Sequence, residues 1–147
     1  LIGLNSSDLW NKSLDILSRR EHSTLELKTK LKKFNPTPED LKDVVARLKE
    51  SNFLDDERFA ASFIRSKALS GYGPNYISQY LIKKGINSDL YDMYALGIDW
   101  EENCLMQFRK KNRTNELTFK EKEKILRFLA YRGFSYEIIK KALKDYD

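Results

Sequence analysis

The chain spells the same helix-to-helix junction twice, as Leu81-x-x-Lys84-Gly85-Ile86-Asn87 and as Leu129-x-x-Arg132-Gly133-Phe134-Ser135. Every position in it has a mechanical reading. Helices commonly end on a left-handed residue just past the last turn, a conformation glycine adopts without a Cβ penalty, and the next residue packs back onto the helix. Gly85 and Gly133 fit that C′ position, Ile86 and Phe134 fit C″, and Leu81 and Leu129 fit C3. Lys84 and Arg132 are expected on the last carbonyls, where a cation suits the helix dipole. Asn87 and Ser135 are expected to cap the following helices. A junction that recurs with its cap points to a helical repeat array, an architecture that presents a surface more often than it encloses a reaction site.

Helix starts fall at regular intervals. Ser23-Thr24-Leu25-Glu26 reads as a capping box with Leu27 and Leu31 behind it. Thr37-Pro38 places proline at N1 ahead of Leu41, Val44, Val45 and Leu48. Asp55 reads as an N-cap, with Leu54 positioned to staple onto Phe59, and Phe59 and Phe63 share a face. Further starts fall at Gly73-Pro74, Asn87 and Asp99, and a helix through Ile125, Phe128 and Leu129 precedes the Ser135 helix. With a first helix over Leu9 to Arg20 this makes nine helices, grouped as three sets of three over residues 8–53, 54–97 and 98–147. Junction leucines lie 50 apart from Leu31 to Leu81 and 48 apart from Leu81 to Leu129; Phe34-Asn35-Pro36 departs from the pattern in the first set. No stretch alternates long enough to argue for a strand. The expected fold is all-α: three tandem three-helix repeats forming an elongated, curved array.

Composition bounds the chemistry. A chain of 147 residues with six Gly and three Pro has no flexible linker stretch. Its lone Cys104 rules out an internal disulfide or a cysteine-based zinc site. No apolar run reaches membrane-spanning length and the first residues resemble neither a signal nor a transit peptide, so the expected location is the cytoplasm. With one histidine, His22, beside a helix cap, nucleophile-and-base arrangements have almost no candidates. Asp55-Asp56 is explained by capping, and Gly71-Tyr72-Gly73 lacks the strand and Lys-Ser/Thr of a phosphate loop. We expect no enzyme, no metal and no cofactor.

Leu54-Asp55-Asp56-x-Arg58-Phe59-Ala60, followed by Gly71-Tyr72-Gly73-Pro74 and Leu81-x-x-Lys84-Gly85-Ile86, resembles the central signature of the RecX family. Arg20-x-His22-Ser23-x-x-Glu26-Leu27-x-x-Lys30-Leu31 and Lys124-Ile125-x-Arg127-Phe128-Leu129-x-Tyr131-Arg132-Gly133 are similar to its first and last repeats. The resemblance runs from about Leu14 to Tyr146. It implies three tandem three-helix repeats and a bacterial regulator that binds RecA filaments and restrains their recombinase and ATPase activities in recombination and DNA repair, as a monomer. Single- or double-stranded DNA along the filament is a further partner that this reading admits.

Charge allows such a role without requiring it. From Arg58 to Ser88 there is no acid, while Arg58, Arg65, Lys67, Lys83 and Lys84 are basic; from Cys104 to Asn115 the same holds with Arg109, Lys110, Lys111 and Arg113. Such runs suit phosphates or an acidic protein groove, and equally a solvated helix face. Tyr76, Gln79 and Lys83 share one helical stripe, and a shift of 48 places Lys124, Arg127 and Tyr131 at the matching positions. Together with Arg58 and Arg65, seven apart, these eight are the candidate partner-binding residues. Two other readings stay open from the residues: a stand-alone DNA-binding protein using one junction as a helix-turn-helix, against which Asp89 and Asp92 argue, and a repeat adaptor for an unrelated protein.

Overall fold

Capping chemistry sets where each helix begins. The computed structural model describes residues 5–112 and 116–146; Arg113, in the second basic run, lies outside them. It contains α1 (Ser6–Arg19), α2 (Thr24–Lys32), α3 (Pro38–Glu50), α4 (Asp56–Leu69), α5 (Pro74–Lys83), α6 (Trp100–Lys111), α7 (Phe119–Tyr131) and α8 (Tyr136–Ala142). Short 3-10 turns occur at Ser88–Leu90 and Lys144–Tyr146, and no strand occurs among the described residues. The Ser23 hydroxyl accepts from the Glu26 N–H while the Glu26 carboxylate accepts from the Ser23 N–H, both at 3.1 Å, so the capping box forms as read. Thr37, Asp55, Asp99 and Ser135 cap α3, α4, α6 and α8, each side-chain oxygen accepting from the N–H three residues on. Asn5 and Thr118, not singled out from sequence, cap α1 and α7.

Helix ends obey the junction chemistry. At Gly85 (φ 76°) the Ile86 N–H donates to the Leu81 carbonyl and the Gly85 N–H to the Ile82 carbonyl, both at 3.0 Å. At Gly133 (φ 104°) the Phe134 and Gly133 N–H groups donate to Leu129 and Ala130. These are the two bonds of a Schellman motif. The first set keeps the left-handed residue as Asn35 (φ 52°), whose N–H donates to Lys32, but the following Pro36 has no N–H for the longer bond. That explains why its junction reads differently.

The middle set corrects one expectation. The third helix read from Asn87 through Leu90 and Met93 is a single 3-10 turn, and the Asn87 side chain makes no cap bond. Tyr91 is extended, and the Asp92 carboxylate accepts from the Tyr94 N–H at 3.0 Å. Asn, Ser and Asp offer the backbone such local bonds in competition with a helix, and the segment is too short for its apolar face to prevail.

The chain folds as two compact units: residues up to Ser62 with Leu81–Tyr91, and Phe63–Tyr80 with Asp92 onward. In the first, α1, α2 and α3 pack pairwise around Leu9, Leu27, Leu31, Val44, Leu48 and Leu54, all nearly inaccessible to solvent. In the second, α6 packs on α7 and α8, and Trp100, Cys104, Phe108, Leu129 and Phe134 are buried. Each such large apolar side chain contributes about 1.5–3 kcal/mol on leaving water.

Candidate partner-binding surface

The two glycine junctions are also joints, each seating on the first turn of an earlier helix. In the first unit a Cβ at Gly85 would lie 2.9 Å from the Leu25 Cβ, so the turn rests on the start of α2. Beside it, Glu26 receives Lys84 Nζ at 3.0 Å and a two-pronged Arg20 guanidinium at 3.0 and 3.2 Å. Burial alone would raise the Glu26 carboxyl, but hydrogen bonds from Arg20, Lys84 and the Ser23 backbone override it and bring the pKa down to about 2. His22 lies behind, 2% exposed. Since an ammonium can only donate, His22 Nε2 accepts from Lys30 at 2.7 Å and the Nδ1–H donates to the Arg20 carbonyl at 3.0 Å. Desolvation, with Arg20 and Lys30 nearby, lowers its pKa and keeps the ring neutral.

The second unit repeats the arrangement with different chemistry. Gly133 closes on the start of α5, where a Cβ would come within 2.5 Å of Tyr76. The Gly73 N–H donates to the Arg132 carbonyl at 2.8 Å and the Asn75 N–H to the Gly133 carbonyl at 2.9 Å. Arg132 Nη2 donates to the Ser70 carbonyl at 2.9 Å, and its guanidinium lies 4.1 Å from the centre of the Tyr72 ring. Tyr72, Tyr76 and Tyr80 form a ladder with ring centres 4.0 and 4.6 Å apart. Hydrogen bonding to Tyr80, burial and hydrogen bonding to Tyr72 push the Tyr76 hydroxyl well above the ordinary phenol range. Arg132 is the C-cap of α7 through its backbone N–H, but the side chains of Lys84 and Arg132 do not serve their own helix ends: their bonds run to Glu26 and to Ser70. The carboxylate of Glu26 gives the Lys84 ammonium a charge-assisted bond, and Arg132 serves the end of α4 instead of its own.

The eight candidate residues divide by environment. Arg65 and Gln79 are exposed, as are Lys124, Arg127 and Tyr131 along α7, with Tyr131 84% accessible. Lys83 is exposed at the end of α5. Tyr76 is half-buried in the ladder and packs on Gly133, so the rim reading describes it better than a free contact would. The guanidinium of Arg58 is already engaged, with Nε 3.0 Å from both Glu21 carboxylate oxygens and Nη1 3.0 Å from the Asn52 carbonyl. Lys124 and Arg127, on one stripe by spacing, border different concavities on either side of α7. His22 and Cys104, the best nucleophile or base candidates, are both buried, and burial pushes the Cys104 thiol up to about 12. Among the described residues no cluster of His, Cys, Asp or Glu suits a metal ion, and no helix is long and apolar enough to cross a membrane.

Models of the first, second and third three-helix domains of RecX match residues 10–48, 55–93 and 99–143, in chain order. The chain belongs to the RecX family. It is 36% identical over 154 aligned residues to regulatory protein RecX of Cronobacter sakazakii, covering 96% of this chain and 93% of that one. It is 35% identical over 138 residues to regulatory protein RecX of Pseudomonas fluorescens, covering 92% and 89%. The crystal structure of RecX from Lactobacillus salivarius matches with a TM-score of 0.85 at 26% identity, covering 97% of this chain and 96% of that chain. RecX is a family of regulatory proteins, not of enzymes, and this chain is one of them.

In this RecX chain, sequence reasoning missed the clamp residues. Arg132 and Glu26 were both assigned local helix-end roles and turn out to hold distant elements together. The signal that could have found the second joint is the crowding of glycines at 71, 73 and 133, since glycine outside a helix often marks a close backbone approach. No comparable signal marks Glu26, whose capping role already accounts for it.

Proposed function

We propose that the chain binds RecA nucleoprotein filaments and lowers their DNA-dependent ATPase and recombinase activities. It does so by contact, as a cytoplasmic monomer of three modules over about 8–53, 54–97 and 98–147, touching DNA only along the filament and performing no catalysis itself. The observation that carries this reading is the consecutive match to all three RecX domains. The exposed cations Arg65, Lys124 and Arg127 add to it, because each offers charge to an acidic partner, and Gln79, Lys83 and Tyr131 are exposed as well. Arg58, paired with Glu21, and Tyr76, stacked in the tyrosine ladder, complete the proposed contact set.

The test is a titration of the pure chain into RecA and single-stranded DNA while ATP hydrolysis is followed. The expected outcome is a falling rate at stoichiometric or lower ratios, with no hydrolysis by the chain alone. An unaffected rate under conditions where binding is confirmed refutes the proposal. Reversing Lys83 and Arg127 to Glu should weaken filament binding at least tenfold and reduce its salt sensitivity. Reversing Lys110 and Lys111 should matter less; the Lys111 ammonium is occupied 4.6 Å from the Phe128 ring centre.

A further inference from the structure

The third module carries an apolar face that its own core does not use. α7 buries Ile125 and Leu129 on one stripe, yet presents a second stripe of Phe119, Leu126 and Ala130 at helical spacing. Across from it α8 presents Tyr136, while Ile139 and Leu143, themselves buried in the core, form the floor, and together they line a groove of about 580 Å³. Phe119 and Tyr136, each 76% exposed, stand open to water along it. Contiguous apolar surface of this kind on a folded chain usually marks an interaction site. The groove is not a general product of the repeat. Shifting by 48 residues along the sequence replaces Phe119 by Gly71, ahead of α5, Leu126 by Ser78 and Ala130 by Ile82, so the middle set keeps one large apolar residue of the stripe at a different place.

The rim chemistry selects the occupant. Arg127 on α7 and Lys140 on α8 stand on the two walls, Lys122 reaches the Tyr146 carbonyl at 3.3 Å beside them, and Glu123 is the single acid in the lining. A trough between two helices accepts the ridge of a third, recognised by anchors at i, i+3, i+4 and i+7. A cation on each wall matches carboxylates flanking that ridge on both sides. We propose that the groove between α7 and α8 docks an amphipathic helix of a partner protein whose apolar stripe is bordered by Glu or Asp. Nucleic acid fits the site poorly, because phosphates would leave its apolar floor uncovered. The inference goes beyond RecA binding; Arg127 is common to both, and the test below therefore turns on Lys140 and Leu126, which the RecA reading does not use.

The probe is a fluorescent peptide of Leu and Glu, about 14 residues or four turns long, with Leu at i, i+3, i+4 and i+7. Its control carries Lys in place of Glu. Titrated with the full chain and followed by anisotropy, the acidic peptide is expected to bind at least tenfold more tightly than the basic one. Lys140→Glu should erase that preference, and Leu126→Gln should weaken binding at least tenfold. Amide shifts in the unmutated chain should centre on Leu126, Ala130 and Ile139, which keeps the assignment testable if Leu126→Gln folds poorly. Equal binding of the two peptides, shifts centred elsewhere, or concentration-dependent dimerisation abolished by Leu126→Gln would each overturn it, the last by giving the groove to a second copy of the chain.

Discussion

Gly133 and Gly85 occupy the same position in one motif yet tolerate a side chain differently, because the neighbour that a Cβ would meet is not the same. At Gly85 it is Leu25 alone, its Cβ at 2.9 Å and Cδ2 at 3.0 Å, and at Gly133 it is the Cβ and nitrogen of Tyr76, both at 2.5 Å, with the Gly73 oxygen at 2.8 Å, a deeper overlap that includes backbone. Gly85→Ala should therefore lower stability by about 1–2 kcal/mol, the left-handed penalty itself, and Gly133→Ala by about 3 kcal/mol or more as the joint is forced apart. Chemical denaturation of the two variants checks the ranking, and equal values would contradict the joint. Glu26 gives a prediction in pH. Its carboxyl takes up a proton near pH 2 when folded, against about 4.5 when unfolded. The stability it contributes is present in full above the unfolded value and is lost as pH falls through the folded one. His22 adds a loss of the same sign that begins below 6.5, because its folded pKa is also lowered. Glu26→Gln should cost about 2 kcal/mol at neutral pH and flatten the stability profile between pH 4.5 and 2, leaving the His22 portion in place. Neither residue's larger role was legible in the sequence: a capping box explains Glu26 locally, and only folding brings Lys84 to it, 58 positions away.

Helix boundaries were legible wherever one residue type has one good use. Ser23, Thr37, Asp55, Asp99 and Ser135 all cap as read, and Gly85 and Gly133 close both their bonds. The reading failed at Asn87, where three polar residues in a row can serve either a helix start or a succession of turns. A cap residue opens a helix only if the residues after it can bury a face, and after Asn87 Leu90 is only partly buried while Met93 is buried from beyond the turn, after extended Tyr91. Native-state hydrogen exchange should register the difference. Amides from Ser88 to Tyr94 are expected to exchange at least a hundredfold faster than those of Ile77 to Leu81 on α5, since the turn holds few backbone bonds and largely exposed residues. Comparable protection in the two segments would restore the missing helix. The candidate surface was legible as a set of helical stripes and not as a set of available groups, because periodicity says which residues share a side and nothing about which are already engaged. Arg58, taken up by Glu21 and Asn52, is the clearest instance.

The three-domain family matches and the two compact units divide the molecule differently. The middle domain match covers residues 55–93, whereas Phe63–Tyr80 pack with Asp92 onward and Leu81–Tyr91 pack with the N-terminal residues. Repeats are visible in sequence because each carries its own caps and junction; packing units are not, because they arise from joints between residues some sixty positions apart. A chain truncated after Gly97 should keep the α1 to α3 core, with Leu27, Leu31 and Leu48 still protected from exchange, and should lose protection at Ile77 and the near-ultraviolet signal of the tyrosine ladder. Intact protection at Ile77 in that fragment would show that the Gly133 joint is dispensable. The same joint has a consequence for how the protein is made. During translation the start of α5 leaves the ribosome well before Arg132 and Gly133 exist, so the Gly73 and Asn75 amides must wait for acceptors that arrive only with the last helices. Residues up to Ser62 can begin to pack while synthesis continues, whereas the tyrosine ladder stays unfinished until Arg132 and Gly133 have been made.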